Sequence, residues 1–256
     1  MAAEPKKVPE RLLMTGKRNV ALVTGSGRRL GRQSAIGLAK DGWDIVVNYA
    51  HSAEEAGRTV EEIKSLGADV ISVKADIRNS KQVDRMFSRA VDYFGRIDLL
   101  VNNAAIFPPA KKFAEISDDL WNYVLSTNLT GQFYCARAAA RAMGNRGGKI
   151  INFASLGGLQ VWPEHIAYNV AKAGVVMLTR ALSKALAPKI TVNAIAPGTI
   201  IIPGEETAGI KHIEETKVPL KKYGKADDIT SAVLYLAHAD YVTGQILVID
   251  GGRSVL

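Results

Sequence analysis

The amino-acid sequence predicts a single α/β domain with a doubly wound parallel sheet of about seven strands and helices on both faces. Short β-branched and aliphatic runs, which are typical of buried parallel strands, alternate with longer helical stretches along the chain. At 256 residues and 47% hydrophobic content, the chain can bury one large core. A glycine-punctuated turn follows the first strand, and this arrangement indicates a nucleotide site.

The composition excludes several classes of protein. The single cysteine, Cys135, rules out an intramolecular disulfide and a cysteine-based metal site, and the four histidines lack metal-ligand spacing. No segment approaches the ~18 consecutive apolar residues of a membrane span. Residues 1–18 have Lys, Glu and Pro where a secretion signal needs an apolar core. We expect a flexible leader at 1–18, one domain at 19–256, and a soluble cytoplasmic protein without a metal or a membrane partner.

The net charge of +8 does not by itself indicate nucleic acid. Basic residues are interleaved with acidic ones, apart from the pairs Arg28-Arg29, Lys111-Lys112 and Lys221-Lys222, and none forms a basic stripe with interleaved aromatics. We therefore expect a small-molecule substrate and no nucleic-acid partner.

The elements can be predicted in order along the chain. Strands are expected at Val20–Val23, Trp43–Asn48, Val70–Val73, Ile97–Val101 and Gly148–Phe153, with a sixth strand ahead of Val192. Helices are expected at Gln33–Lys40, Ser52–Leu66, Ser80–Phe94, Asp118–Met143 and Tyr168–Ala187. Ser80 and Ser117 are the expected N-caps of the third and fourth helices.

The turn after the first strand has the residue types that a phosphate requires. Positions 25–27 read Gly-Ser-Gly and position 31 is glycine, so backbone N–H groups can approach a phosphate closely. The strict dinucleotide pattern G-x-G-x-x-G fails by one residue, because Leu30 holds the place of the third glycine. Glycine and serine are common in any strand-to-helix turn, so this loop alone leaves both interpretations open.

The end of the second strand predicts the cofactor. An acidic side chain there would bind a ribose 2′-hydroxyl and repel a 2′-phosphate, but the chain has no acid before Glu54. His51 and Ser52 stand there instead. Arg28 and Arg29 lie in the glycine-rich turn, and arginine binds phosphate through charge-assisted hydrogen bonds. The alternative interpretation is that these four residues are simply exposed loop residues. Because the acidic side chain is missing, we predict NADP(H) rather than NAD(H).

A tyrosine, a lysine and a serine have the spacing of an acid–base site. Tyr168 and Lys172, at i and i+4, share a helix face, so the ammonium can approach the phenol and lower its pKa from near 10. Tyr168 can then donate a proton to a carbonyl or take one from an alcohol. Ser155 lies thirteen residues upstream at the end of a strand, where it can hydrogen-bond the same oxygen.

Several motifs together resemble the short-chain dehydrogenase/reductase family over about Val20 to Gly252. They are Thr24-Gly25-x5-Gly31, Asn102-Asn103-Ala104-Ala105, Thr127-Asn128, Ser155 with Tyr168-x-x-x-Lys172, the segment Val192–Gly198 after the sixth strand, and Thr243-Gly244-Gln245. Arg29 replaces the middle glycine of the loop, and Ala105 replaces a second glycine. The resemblance implies a Rossmann-like fold and hydride transfer with tyrosine as the acid–base.

The resemblance also implies a role for each matching residue. The catalytic residues would be Asn128, Ser155, Tyr168 and Lys172, with Asn128 kinking its helix and holding a water that connects Lys172 to solvent. The cofactor residues would be Gly25, Ser26, Arg28, Arg29, Leu30, Gly31, His51, Ser52, Asp76, Ile77, Asn103, Ala104, Tyr168, Lys172, Pro197, Gly198 and Ile200. Asp76 would contact adenine, and the N-cap region of the third helix is its alternative role. The substrate would contact Phe107, Ser155 and Tyr168 beneath a lid at residues 200–217.

Three functions remain open on the sequence. The segments around Pro197 and Gly244 are similar to carbonyl reductases, including 3-oxoacyl-carrier-protein reductases. Arg29, His51 and Phe107 are more similar to the residues of pteridine reductases, in which an aromatic ring stacks against a pterin. Phe107 is equally consistent with an apolar residue that packs under the lid. Ser155 favours carbonyl chemistry over the pterin alternative. The third possible function is that of a non-catalytic, nucleotide-binding regulatory protein. The presence of all four catalytic residues disfavours it.

The two longest helices predict the assembly. Leu120–Met143 and Tyr168–Ala187 carry small or apolar residues around most of their circumference, which is more than one sheet-facing side requires. Members of the resembled family pair these helices between subunits. We expect a homotetramer.

Overall fold

The computed structural model describes residues 18–204 and 214–255. The strands in these residues are β1 (Val20–Val23), β2 (Asp44–Tyr49), β3 (Val70–Lys74), β4 (Leu99–Asn102), β5 (Gly148–Phe153), β6 (Ile190–Pro197) and β7 (Ile246–Ile249). The helices are α1 (Arg29–Lys40), α2 (Ala53–Ser65), α3 (Ser80–Phe94), α4 (Asp118–Leu125), α5 (Gly131–Met143), α6 (Ile166–Leu186) and α7 (Ala226–His238).

The strands form one parallel sheet in the order β3-β2-β1-β4-β5-β6-β7. The chain builds outward from β1 to β3 and then returns to the other side of β1, so the direction of winding reverses between β1 and β4. In open α/β sheets, ligands bind at the carboxyl ends of the strands at this switch point. The predicted fold class is confirmed, and the switch point lies where Gly25 and Asn103 follow their strands.

Each face of the sheet has its own core, because successive strand residues point to opposite sides. Ala21 and Val23 pack with residues of α1, α2 and α7 on one face. Val20 and Leu22 pack with residues of α3 and α5 on the other. All four strand residues are at most 1% exposed, which explains why β1 is an unbroken apolar run rather than an alternating one.

The helix predicted for Asp118–Met143 is not continuous. A π-helical segment, Ser126–Thr130, separates α4 from α5 and contains Asn128. Such single π-helical turns inside helices are frequent at functional sites. Asn128, which the resemblance implies as the site of a kink, therefore lies in a π-helical turn.

Several predicted boundaries are wrong by a few residues. The helix expected from Gln33 begins at Arg29, and the helix expected from Tyr168 begins at Ile166, so Tyr168 is its third residue. The segment Val192–Gly198 does not follow the sixth strand, because β6 includes it up to Pro197. The N-cap of α3 is Asn79 rather than Ser80, since Asn79 has an extended backbone and its Oδ1 accepts a hydrogen bond from the Gln82 N–H (3.1 Å).

Two predicted segments are only partly described. Residues 1–17 of the expected leader and residues 205–213 of the expected lid lie outside the described residues. Arg18 donates a hydrogen bond to the Gly67 carbonyl (2.7 Å), and Ile200 forms a β-bridge with Gly224 at the base of the expected lid. Within the described ranges, no helix is long and apolar enough to cross a membrane.

Candidate active site

The loop between β1 and α1, residues 24–31 and hereafter the cofactor loop, is shaped by close backbone approaches. Gly25 has φ of +63°, a conformation that favours glycine. A Cβ at Gly31 would collide with the Gly25 carbonyl and the Asn103 side chain. Arg29, in the place of the family's middle glycine, has φ of +52°, so the loop keeps a glycine-like backbone although the residue is not glycine. This conformation costs about 1 kcal/mol in a non-glycine residue.

Asn48 ties the ends of three strands to the cofactor loop. Its Oδ1 accepts a hydrogen bond from the Gly25 N–H (3.2 Å), and its Nδ2 donates to the carbonyls of Val73 (3.3 Å) and Ala75 (3.0 Å). The backbone of Asn48 also pairs with Ser26, whose hydroxyl accepts from the Asn48 N–H (3.1 Å). Sequence reasoning assigned no role to Asn48, although a fully buried amide in an apolar strand is a detectable signal.

Asn103 and Thr24 join the cofactor loop to the end of β4. The Asn103 Nδ2 donates to the carbonyls of Thr24 (2.9 Å) and Gly25 (3.2 Å). The Thr24 hydroxyl accepts from the backbone N–H groups of Asn103 and Ala104, both at 3.0 Å. These contacts place Asn103 and Ala104 beside the loop and give Asn103 a structural role, and their contact with the cofactor stays a prediction.

The start of α1 has the features that a dinucleotide pyrophosphate requires. No side chain caps its N-terminus, no acidic residue lies in its first turn, and the N-cap is Arg28. Backbone N–H groups at an uncapped helix N-terminus attract an anion. Arg28 and His51 are exposed, and Arg29 and Ser52 are half-buried, so the residues expected at a 2′-phosphate are accessible. The loop therefore fits the expected cofactor.

The third strand ends at residues with different surroundings. Asp76 is half-buried and accepts hydrogen bonds from the Arg78 side chain and backbone, and the Arg78 side chain holds the pKa of Asp76 below its usual value. The side chain of Ile77 is buried, and a Cβ on Gly131 of α5 would collide with it. Ile77 can therefore face a cofactor only with its backbone.

The three residues of the predicted acid–base site come together. Ser155 follows β5, its hydroxyl accepts a hydrogen bond from the Gly157 N–H (3.1 Å), and it lies close enough to Tyr168 to act on the pKa of the phenol. The Lys172 Nζ lies 5.8 Å from the centre of the Tyr168 ring and donates to the Phe153 carbonyl (2.6 Å). Lys172 is 1% exposed. Strand β5 and helix α6 thus fix the hydroxyl, the phenol and the amine with respect to one another.

The pKa of Tyr168 differs from the expectation. Burial raises the pKa of Tyr168 above its usual value of 10, and the nearby Ser155 hydroxyl opposes that rise. Burial also lowers the pKa of Lys172 to about 7, so the amine is only partly charged at neutral pH. The expected lowering of the tyrosine pKa by Lys172 is absent here, because burial of the phenol has the largest effect on that pKa. Tyr168 is therefore protonated at neutral pH and is suited to donate a proton.

Asn128 contacts the loop after β4. Its Nδ2 donates to the Ile106 carbonyl and its Oδ1 accepts from the Ile106 N–H, both at 2.8 Å. The side-chain amide is fully buried. Its contacts make Asn128 a positioning residue that holds the segment leading to Phe107.

Three rings, Phe107, Trp162 and His165, lie next to one another and are called the aromatic cluster below; Phe107 and Trp162 also contact Tyr168. The Trp162 ring lies parallel to the Tyr168 ring at 6.2 Å, and the Phe107 ring meets it edge-on at 4.8 Å. His165 lies 4.5 Å from Phe107, and burial lowers the pKa of His165, which keeps this ring neutral at pH 7. Flat, largely apolar rings thus lie beside Tyr168.

The end of β6 and the expected lid base lie beside β7. The Gly198 N–H donates to the Ile249 carbonyl (2.9 Å), and a Cβ on Gly198 would meet Asp250 at 2.8 Å. The Ile201 N–H donates to the Gly224 carbonyl (3.0 Å). Pro197, Gly198 and Ile200 therefore lie at the carboxyl edge of the sheet, as a role beside the cofactor requires.

Sequence reasoning missed Trp162, His165 and Arg253. Trp162 and His165 lie between Ser155 and Tyr168, so their loop had to pass close to both, and this spacing was an available signal. The Arg253 guanidinium lies 5.5 Å from the Trp162 ring, but Arg253 is 91 residues further along the chain, and no local pattern marks it. Among the described residues, no cluster of three or more His, Cys, Asp or Glu side chains could hold a metal ion.

The chain is similar to known proteins over most of its length. A family model described as enoyl-(acyl carrier protein) reductase matches residues 25–254. The 3-oxoacyl-[acyl-carrier-protein] reductase of Synechocystis is 39% identical over 238 residues, which covers 91% of this chain and 96% of that protein.

Two solved structures share the fold. Carveol dehydrogenase from Mycobacterium avium in complex with NAD has a TM-score of 0.86 and 30% identity, covering 93% of this chain and 98% of the other. A short chain dehydrogenase from Burkholderia cenocepacia in complex with NADP has a TM-score of 0.85 and 33% identity, covering 92% and 97%. Since these two proteins bind different dinucleotides on one fold, the choice of cofactor depends on local residues.

Proposed function

The chain belongs to the short-chain dehydrogenase/reductase family of oxidoreductases, and we propose that it reduces a carbonyl group to an alcohol with NADPH, on a 3-oxoacyl thioester or a related ketone. The observation that carries this proposal is the arrangement of Ser155 and the buried Lys172 beside a protonated Tyr168. This arrangement delivers one proton to one oxygen.

The proposed mechanism divides the work between the cofactor and the protein. The cofactor, when bound, supplies the hydride. The Ser155 hydroxyl orients the carbonyl oxygen, and the Tyr168 phenol donates its proton to that oxygen as it gains negative charge. Lys172 has a pKa of about 7, so it can exchange a proton near neutral pH and restore the phenol. Asn128 holds the loop of Ile106 and thereby positions Phe107.

Local residues support NADP(H) as the cofactor. The end of β2 has no acidic side chain to repel a 2′-phosphate, and Arg28 and Arg29 lie at the N-terminus of α1. Arg29 has a left-handed backbone conformation and lies within the tight turn of the cofactor loop. The Burkholderia relative in complex with NADP is consistent with this choice.

The substrate proposal rests on Ser155 and on the names of relatives. The family model and the Synechocystis protein are named for different steps on acyl carrier protein, an enoyl and a 3-oxoacyl reduction. A serine hydroxyl beside the proton donor is suited to hold a carbonyl oxygen, which favours the 3-oxoacyl reaction. Reduction of a pterin C=N bond is the second candidate, because the Phe107 ring lies 4.8 Å from Tyr168, where it could stack a flat heterocycle.

One assay separates these functions. The purified protein is incubated with NADPH and, in separate reactions, acetoacetyl-CoA, a simple cyclic ketone and dihydrobiopterin, and absorbance at the NADPH band is followed. We expect turnover with a carbonyl substrate and slower turnover with NADH. Turnover with dihydrobiopterin alone would favour the pterin reaction. No turnover with any of them, in a protein that binds NADPH, would favour a regulatory nucleotide-binding role.

We also propose that the protein is a homotetramer assembled through α5 and α6. An apolar groove of about 370 Å³ runs between these helices, lined by Phe133, Ala136, Arg137, Ala140, Arg141, Leu182 and Leu186. Met177 on α6 is 61% exposed, which is unusual for a large apolar side chain on a monomer. Light scattering at micromolar concentration tests this proposal, and a monomeric mass would refute it.

A further inference from the structure

Arg253 lies beside the proposed substrate pocket although it is close to the C-terminus. It begins a short 3-10 turn, Arg253–Val255, after β7 and two glycines. Asp250 fixes this turn, because its carboxylate accepts hydrogen bonds from the backbone N–H groups of Gly252 (2.9 Å) and Ser254 (2.6 Å). The Gln160 side chain donates to the Arg253 carbonyl (3.2 Å) and ties the turn to the loop of Trp162.

The guanidinium of Arg253 is directed at the aromatic cluster. It lies 5.5 Å from the centre of the Trp162 ring, and that ring is parallel to the ring of Tyr168. Its Nη1 donates to the Thr199 hydroxyl at 3.4 Å. Thr199 directly follows Pro197-Gly198, so the guanidinium lies between the aromatic cluster and the base of the expected lid. The Trp162 ring therefore has both the Arg253 guanidinium and the Tyr168 ring as neighbours.

The charge of Arg253 is incompletely matched. Over residues 18–204 and 214–255, no carboxylate lies within ion-pair distance of it, and Asp250 acts on it only from further away. Partial burial lowers the pKa of Arg253, yet a guanidinium stays charged at every physiological pH. Arginine has five N–H donors, and the described residues accept one long hydrogen bond from them. A half-buried cation of this kind is stabilised by an anion that can bind in a bidentate manner.

We propose that Arg253 selects substrates that carry an anionic group, most simply a carboxylate, on the part of the molecule next to the reacting carbonyl. This inference rests on the proposed carbonyl reduction. The anion would bind the guanidinium while the carbonyl lies at Ser155 and Tyr168, and the carbon chain between them would cross the face of Trp162. The placement also reduces unproductive binding, because a substrate held at both ends has fewer orientations.

A matched pair of substrates tests the proposal. Monomethyl 3-oxoadipate, esterified at the carboxyl group nearer the ketone, keeps a free carboxylate two methylene groups from the reacting carbonyl, and dimethyl 3-oxoadipate has the same carbon chain without the charge. Acetoacetyl-CoA is the third substrate, because its phosphates are the other source of negative charge. The quantity measured is the ratio of kcat/KM for the monoester to kcat/KM for the diester. We expect Arg253→Gln to lower this ratio by about 10- to 100-fold, since a charge-assisted pair is lost.

Two further variants act as controls. Arg253→Lys keeps the charge without the planar fork and should recover part of the ratio. Arg89→Gln removes one positive charge from an exposed position on α3 and should leave the ratio unchanged. A fall with acetoacetyl-CoA but not with the monoester would assign the phosphates, rather than a carboxylate, to Arg253 and overturn the carboxylate assignment.

Other outcomes would overturn the proposal as a whole. An equal loss with both esters would mean that Arg253 only supports Trp162. An unchanged ratio with weaker NADPH binding would assign Arg253 to the cofactor. Binding of glutarate, followed by calorimetry, is independent of turnover: the parent protein should bind it and Arg253→Gln should not. A parent protein that reduces none of the substrates but binds glutarate through Arg253 would refute the proposed function alone, and one that does not bind glutarate would refute the selection by Arg253.

Discussion

The proposed cofactor side and the proposed substrate side of the site are held together by different kinds of interaction. On the cofactor side, glycines and the amides of Asn48 and Asn103 hold strand ends together through backbone hydrogen bonds between 2.9 and 3.3 Å. On the substrate side, Phe107, Trp162 and Arg253 meet through ring and cation contacts between 5.5 and 6.3 Å. A backbone framework tolerates few substitutions, whereas ring contacts can be rearranged. The comparison suggests that the cofactor is fixed by the fold and the substrate by exchangeable side chains.

Tyr168→Phe is expected to have the largest effect and to separate the two sides most clearly, because it should abolish turnover without weakening NADPH binding. The change removes one hydroxyl and keeps the ring that packs against Trp162 and Phe107, so the fold and NADPH binding should survive. Proton transfer from a placed acid contributes about 10²–10⁴-fold, and turnover should fall by at least that range. Single-turnover kinetics and NADPH titration measure the two effects separately. Near-normal turnover on a substrate that the parent protein reduces well would show that another group is the acid.

Lys172→Met tests how much burial of the Lys172 amine, which lies between the two sides, lowers the free energy of unfolding. The pKa of Lys172 falls from 10.5 to about 7 in the folded protein, so the unfolded chain binds more protons between those pH values. The stability of the parent protein should therefore rise with pH across this window, by up to about 5 kcal/mol in all and by about half of that between pH 7 and pH 9. Urea unfolding at pH 7 and pH 9 measures the effect.

For Lys172→Met, the rise of stability between pH 7 and pH 9 should be much smaller, and turnover should be lost. At pH 7 the variant avoids the cost of burying an amine but loses the hydrogen bond to the Phe153 carbonyl. Its stability at pH 7 should therefore be equal to that of the parent or greater. Parallel pH profiles for the two proteins would contradict the lowered pKa of Lys172.

Gly31→Ala should damage the cofactor side alone. The added methyl group would collide with the Gly25 carbonyl and the Asn103 side chain, and a backbone atom cannot move aside cheaply. We expect a loss of about 1–3 kcal/mol in stability and NADPH binding weakened by at least about tenfold. Gly57→Ala on α2 is the matched control, because nothing lies within 4 Å of its added Cβ. Equal NADPH affinities in the two variants would mean that the cofactor loop does not bind the pyrophosphate.

The smallest effects are expected at Arg29, where charge and backbone can be separated. Arg29→Ala and Arg29→Gly both remove the guanidinium, so both should reduce the preference for NADPH over NADH by about tenfold. Only the glycine variant relieves the left-handed backbone at φ +52°, and it should be more stable than the alanine variant by about 1 kcal/mol. Fluorescence titration and thermal unfolding give the two values. An unchanged cofactor preference in both variants would remove Arg29 from the 2′-phosphate site.

The sequence by itself determined the fold class and the residues around which the chemistry is proposed. Buried parallel strands such as β1 appear as apolar runs, and helix α6 places Tyr168 and Lys172 on one face through its 3.6-residue period. Glycine spacing marks the cofactor loop because glycine alone tolerates the close approach at Gly31. These signals are local, since each depends on residues that are neighbours in the chain.

Only the tertiary structure decided how distant segments meet and what their surroundings do to them. Arg253 reaches Trp162 because β7 lies beside β6 at the edge of the sheet, and no local pattern specifies that contact. The raised pKa of Tyr168 and the lowered pKa of Lys172 have the same origin, because burial of an ionisable group depends on everything packed around it. A sequence motif gives the spacing of two side chains along a helix, but hydration is removed by the whole fold.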